Sequence, residues 1–308
     1  MISLFLLLLA SIFFPGVIIK TKAKFSGRKG PGILQPWRDI FRLLKKGNVF
    51  STSSSYVFQI AASVYLASVI TAMFMIPFEE NTSFISFQGD FVLFAYFLGL
   101  GRFLLVASAL DVSSGFEGMG ANREVFYALL VEPAFFILIG SLAMFTGYNS
   151  FEDIFRELHF SSYFSLVIGL IAAYVLSQIT LIETSRLPVD DPLTHLELTM
   201  VHEVMVLDHS GFDLGIIKMA NIFKFVIFGM LSANCLIPQD LGLSTPELNL
   251  FVRILIFLAM QVTFAVGIGY VESFRARNKM VMNAQYILSI SAIATILIFV
   301  VMIINNSI

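Results

Sequence analysis

SYFSLVIGLIAAYVLSQITLI, residues 162–182, runs for twenty-one positions without a charge and leads directly into ETSRLPVDDPLTHLELTMVHEVMVLDHSG, residues 183–211. At about 1.5 Å of rise per residue the first stretch is about 31 Å long, which matches a bilayer hydrocarbon core of about 30 Å. A helix satisfies its own backbone groups in lipid, so this reading sets an all-α membrane fold. The second stretch gathers six acids (Glu183, Asp190, Asp191, Glu197, Glu203 and Asp208), three of the four histidines (His195, His202 and His209) and one arginine, Arg186. Ionisable chemistry therefore sits at the edge of an apolar span.

The rest of the chain repeats the apolar pattern. Of 308 residues 57% are hydrophobic, only 13% are charged, and the mean hydropathy is +0.87, too little polar surface to cover a soluble globule. Apolar runs predict eight spans, near 2–19, 55–77, 91–110, 124–146, 162–182, 216–237, 249–271 and 281–304, in a single membrane domain covering 1–308. The first lacks a preceding basic residue, is interrupted by Pro15 and Gly16, and reads as a retained span rather than a secretory signal. Cys235 is the single cysteine, so the chain has neither an intrachain disulfide nor a thiolate set for an iron-sulfur cluster.

Lysine and arginine set the expected orientation. Nine of the nineteen basic residues lie between Lys20 and Lys46, and the loops after the third, fifth and seventh spans add Arg123, Arg186, Arg275, Arg277 and Lys279. The positive-inside rule places these loops, and with them the acidic stretch, in the cytoplasm.

The first basic loop reads FSGRKGPGILQPWRDIFRLLKKG, residues 25–47. Its Trp37, Ile40, Phe41 and Leu44 fall at helical spacing, opposite Arg38, Asp39, Arg42, Lys45 and Lys46, predicting an amphipathic helix on the membrane surface. This element reads either as a lipid-headgroup anchor or as a glycine-turned surface for another subunit. The third span carries Arg102, the fourth Glu132 just before Pro133, and the sixth Lys224. An arginine at membrane depth costs at least ~2.5 kcal/mol unless it finds a partner or water, so these charges are expected inside the bundle. They form either a dry ion-pair network that fixes packing or a hydrated, titratable path. The second reading is preferred, because the charges extend a region already rich in acids.

Within that region Pro188 and Pro192 end the fifth span, and Thr194 with Glu197 forms a capping box for a short helix. His195, His202 and His209 recur every seven residues and share a face if one helix holds all three. Seven residues rise about 10.5 Å, too far for two imidazoles to share an ion at bonds near 2 Å, so no metal site is expected. Proton exchange, or hydrogen bonds to nearby acids, is what such histidines offer.

The basic loop RKGPGILQPWRDIFRLL, the segment GRFLLVASALD, GANRE with its downstream VEP, and the E-x-x-R-x-P-x-D opening of the acidic stretch resemble the subunit 1 family of respiratory complex I. Within that family the chain looks closest to the membrane anchor subunits of energy-converting nickel-iron hydrogenases, including that of formate hydrogenlyase. The resemblance spans nearly the whole chain. It implies a non-catalytic membrane subunit that docks an iron-sulfur arm and couples redox chemistry to proton or sodium movement in a prokaryotic plasma membrane. The implied partners are the small and large subunits of that arm, antiporter-like membrane subunits and lipid, with no nucleic acid. By match, Glu124, Glu132, Glu183, Asp190 and Glu197 correspond to an acidic passage, which Asp191, Glu203, Asp208, Arg102 and Lys224 extend here. Arg28, Gly30, Pro31 and Arg186 correspond to the docking surface, with Lys29 and Arg38 beside them. Departures stand at Val189, Leu193 and His195, and they weigh against direct quinone binding. Iron-sulfur clusters belong to the expected partners.

A stand-alone ion-coupled transporter is the competing class, since it also carries intramembrane charges. It would show an inverted internal repeat, and none is visible. Nucleophile elbows, metal quartets and dinucleotide fingerprints are missing too, so no complete active site is expected.

Overall fold

The computed structural model describes residues 2–51, 54–77, 83–158, 163–190, 200–237 and 246–307. Among them are eleven α-helices and no strand. Eight are long and apolar enough to cross a membrane: α1 (Ile2–Phe25), α3 (Tyr56–Met73), α4 (Asp90–Asp111), α5 (Gly115–Thr146), α7 (Tyr163–Glu183), α9 (Gly211–Asn234), α10 (Pro246–Phe274) and α11 (Met280–Ser307). Three shorter helices, α2 (Gln35–Leu44), α6 (Phe151–Glu157) and α8 (His202–Met205), lie between them.

Helix α9 is the axis of the bundle. Its spanning window is 72% buried against 28% for α10 and α11, so α9 is enclosed by protein while the other two are left for lipid or partners. Around it α3 packs on α4, α5 on α11, and α10 on α1. Phe94, Phe135 and Phe228, from α4, α5 and α9, meet at ring centroid separations of 5.8–6.4 Å and seal the centre on one side of the charged residues.

Helix α2 is tied down rather than floating. The Trp37 Nε1 donates to the Ser11 carbonyl at 2.8 Å, its ring lies 6.2 Å from that of Phe223, and Ile40 is buried, while Arg38 and Arg42 are exposed. The loop after α2 meets the start of α9 at Gly211, whose φ of +49° is left-handed and whose missing side chain leaves room for the Gly47 carbonyl. Hydrogen bonds from the Val49 amide to Ser210 Oγ, and from the Asp213 amide to Asn48 Oδ1, close the same seam. The end of the first basic loop thus meets the end of the acidic stretch.

Sequence and structure differ at several ends. The fourth span is a 32-residue helix, α5, beginning at Gly115 rather than 124, because GFEGMGANRE continues the helix beyond the apolar run. Residue Gly120 lets Val201 and Met205 approach its backbone, and the Arg123 guanidinium donates to the Met200 carbonyl at 2.8 Å. Helix α6, whose Ser150 cap accepts from the Asp153 amide, was not anticipated. The single histidine face is not formed: α8 ends at Met205, and the chain turns before His209. The Thr194 to Glu197 capping box and His195, Asp191 and Glu197 lie outside the described residues.

Candidate functional site

Helices α4, α5, α7 and α9 each deliver charge to one point. From α4, the Arg102 guanidinium reaches three acids: Glu183 Oε2 in direct contact, Glu132 Oε1 at 3.1 Å and Glu124 Oε1 at 3.6 Å. Lys224 Nζ of α9 lies 2.5 Å from the same Glu183 oxygen. Counting along the helices from their far ends, Lys224, Arg102 and Glu132 sit about 15, 18 and 21 Å in, well within a hydrocarbon core of about 30 Å. Two cations face three carboxylates, so the cluster with all five ionised carries a net charge of −1 and has room to accept a proton.

Burial divides the members. Arg102, Glu183 and Lys224 are enclosed, with Lys224 2% exposed, but the Glu132 side chain is 51% exposed. The expectation that Glu132 of the fourth span lies inside the bundle therefore fails. Its position on α5 turns the carboxyl to the outside of the bundle beside α4, and only Oε1 is drawn inward by Arg102. Two small cavities flank the Arg102–Glu183 pair. One of about 10 Å³ is lined by Tyr65, Glu124, His202 and Lys224, and the other, of about 30 Å³, opens past Glu132. Spaces of this size, with charged walls, admit about one water each.

A chain of hydrogen bonds leads from the inner cavity to the acidic stretch. The Tyr65 hydroxyl donates to Asn221 Oδ1 at 2.5 Å, and Asn221 Nδ2 donates to His202 Nε2 at 2.8 Å. Burial holds the His202 imidazole below its ordinary pKa against the opposite pull of Glu203 and Asp190, so Nε2 keeps a lone pair and accepts. Neither Tyr65 nor Asn221 carried a sequence signal beyond its place in an apolar run.

The remaining predicted residues fall elsewhere. Asp190 is locked structurally: Oδ1 pairs with Arg277 at 3.0 Å, and Oδ2 accepts from the Val201 and His202 amides at 3.1 and 3.2 Å. His209 stacks on Phe58 at 4.2 Å and meets Ser108 Oγ at 3.2 Å. Burial, aided by nearby His202, pushes its pKa down to about 4. Asp208 is exposed and Glu203 half-buried, and neither joins the charged cluster. Arg28, Lys29, Pro31 and Arg38 are exposed, and Gly30 is half-buried against Ala23. Arg186 instead turns into the chain, pairing with Glu272 at 2.9 Å and lying 5.4 Å over the Phe225 ring, while Lys22 joins the same glutamate at 3.6 Å.

A family model described as NADH dehydrogenase matches residues 1–303. The chain belongs to the NADH dehydrogenase family. It is 30% identical to hydrogenase-4 component C of Escherichia coli (strain K12), over 85% of this chain and 83% of that one. Formate hydrogenlyase subunit 4 of the same organism is 26% identical, with 86% and 85% covered. One subunit of the NADH-quinone oxidoreductase of Neisseria meningitidis is 25% identical, over 71% of this chain and 64% of the other. The fold matches a chain of the membrane-bound sulfane sulfur reductase, an archaeal respiratory membrane complex, with a TM-score of 0.81 at 20% identity, covering 97% and 98% of the two chains. Family and spans together make this a multi-pass membrane protein.

Proposed function

We propose that this chain is the non-catalytic membrane subunit of a complex I-like or energy-converting hydrogenase-like assembly, seating a peripheral iron-sulfur arm and passing protons or sodium ions sideways through its charged cluster. The observation that carries this reading is Glu132, a carboxyl half-exposed on the flank of the bundle at membrane depth yet bonded through Oε1 to Arg102. A bare carboxylate against lipid is costly, so this flank is to be covered by another membrane subunit, of the antiporter-like kind, that supplies a donor or water. The inner end of the route is the His202–Asn221–Tyr65 chain, and the two water-sized cavities lie on either side of Arg102.

Arg28, Lys29, Pro31 and Arg38 present the surface for the small and large subunits of the arm, and redox change there reorders the acidic stretch. The positive-inside distribution supports a cytoplasmic position for this face, in the plasma membrane of a prokaryotic cell. Clusters belong to the partners, and quinone binding by this chain is not part of the proposal. The family match over residues 1–303 leaves the stand-alone transporter without support.

The test is Glu132→Gln in the intact complex. Copurification of all subunits should be unchanged while redox-driven ion uptake into proteoliposomes is lost. Full uptake by that variant would remove Glu132, and the lateral route with it.

A further inference from the structure

A second opening faces the bilayer away from the charged cluster. Between α7, α9 and α10 lies a cleft of about 490 Å³, lined on α7 by residues from Leu170 to Leu181 and on α10 by residues from Met260 to Val271. Each wall spans twelve residues, a rise of about 17 Å, close to the thickness of one leaflet of a hydrocarbon core of about 30 Å.

The lining chemistry narrows the occupant further. The hydroxyls of Ser177, Ser232 and Thr263 each donate to a carbonyl of their own helix, at 2.6, 2.9 and 2.9 Å. The Gln178 Oε1 accepts from the Tyr286 hydroxyl, and its Nε2 donates to Ser177. With these groups engaged, the cleft offers hydrocarbon contact and few free donors for a polar ring. At the cytoplasmic-side end the α10 face continues from Val271 to Arg275, one turn on, whose amide bonds the Val271 carbonyl at 2.9 Å. Arg275 is exposed and has no carboxylate partner among the described residues.

We infer that this cleft is a lipid site, taking one acyl chain of an anionic phospholipid from the leaflet on the basic edge, with the phosphate over Arg275. The site is independent of the proposed passage.

Native mass spectrometry of the intact membrane complex, exchanged into phosphatidylglycerol or phosphatidylcholine nanodiscs and then released, tests it. The unaltered complex should retain one phosphatidylglycerol per copy of this chain. Gly267→Leu should displace it, since a side chain at Gly267 meets nothing within 4 Å and projects into open space. Arg275→Gln, a surface change that leaves packing intact, should keep the chain seated but lower the preference for phosphatidylglycerol over phosphatidylcholine about fivefold, equivalent to about 1 kcal/mol for one interfacial cation. Equal retention of both lipids by the unaltered complex, retention undiminished by Gly267→Leu, or recovery of a quinone or a crosslinked partner helix from the cleft would each overturn the assignment.

Discussion

Replacing Glu183 by glutamine probes the centre of the cluster. Its Oε2 is the counter-charge for Lys224 at 2.5 Å, and among the described residues no other carboxylate lies within ion-pair distance of that ammonium. Arg102 is better insured, keeping Glu132 at 3.1 Å and Glu124 at 3.6 Å. The cost of Glu183→Gln therefore falls on Lys224, and leaving one member of a buried pair alone costs about 3–5 kcal/mol. That is a hundred- to several-thousand-fold loss in equilibrium constant, to be read as earlier dissociation of the purified complex in a graded denaturing detergent. Adding Lys224→Met removes the stranded charge and should recover about 0.5–3 kcal/mol through coupling of the two sites. Ion uptake should not return, because the titratable pair is gone. A Glu183→Gln complex as stable as the parent would refute the pairing. A double variant restored in both assembly and uptake would show that the cluster only holds helices together.

Two further outcomes concern the acidic stretch. Asp190→Asn weakens the clamp on the Val201 and His202 amides. Charge-assisted bonds of this kind are worth about 1.5–3 kcal/mol, so exchange protection of those two amides should fall about ten- to a hundredfold by hydrogen–deuterium exchange, and unchanged protection would refute the clamp. For His209, burial lowers the folded pKa to about 4 from an ordinary value of about 6.5, so the opened chain takes up a proton first. The stabilisation is complete above about pH 6.5 and is lost as pH falls toward about 4, which limited proteolysis across residues 206–210 should register as faster cleavage. His209→Phe, which keeps an aromatic ring against Phe58, should flatten that profile, and a parent profile that is already flat would exclude the mechanism.

The eight crossings were legible because each is a long apolar run, and hydropathy over about twenty residues is a strong signal. The start of α5 was not, since Gly115–Arg123 is polar and glycine-rich and is helical only because Val201, Met205 and Met200 pack or bond against it. Arg102, Glu132 and Lys224 announced themselves as charges in apolar surroundings, and the structure gathers all three around Glu183. The outward turn of Glu132 depends on which face of α5 meets α4, and no periodicity in a helix that is apolar all round reports that. Likewise Asp190 has its partner 87 positions away in Arg277, a pairing created by tertiary approach of the α10–α11 loop.

The close approach of Gly47 to Gly211 bears on how force enters the membrane. Whatever rests on the exposed side of α2 leans, through that seam, on the first residue of α9, and thirteen residues further along the same rod, about 20 Å deeper, Lys224 meets Glu183. The contact there already excludes a methyl group, so the backbone at Gly47 and the first turn of α9 have no slack between them.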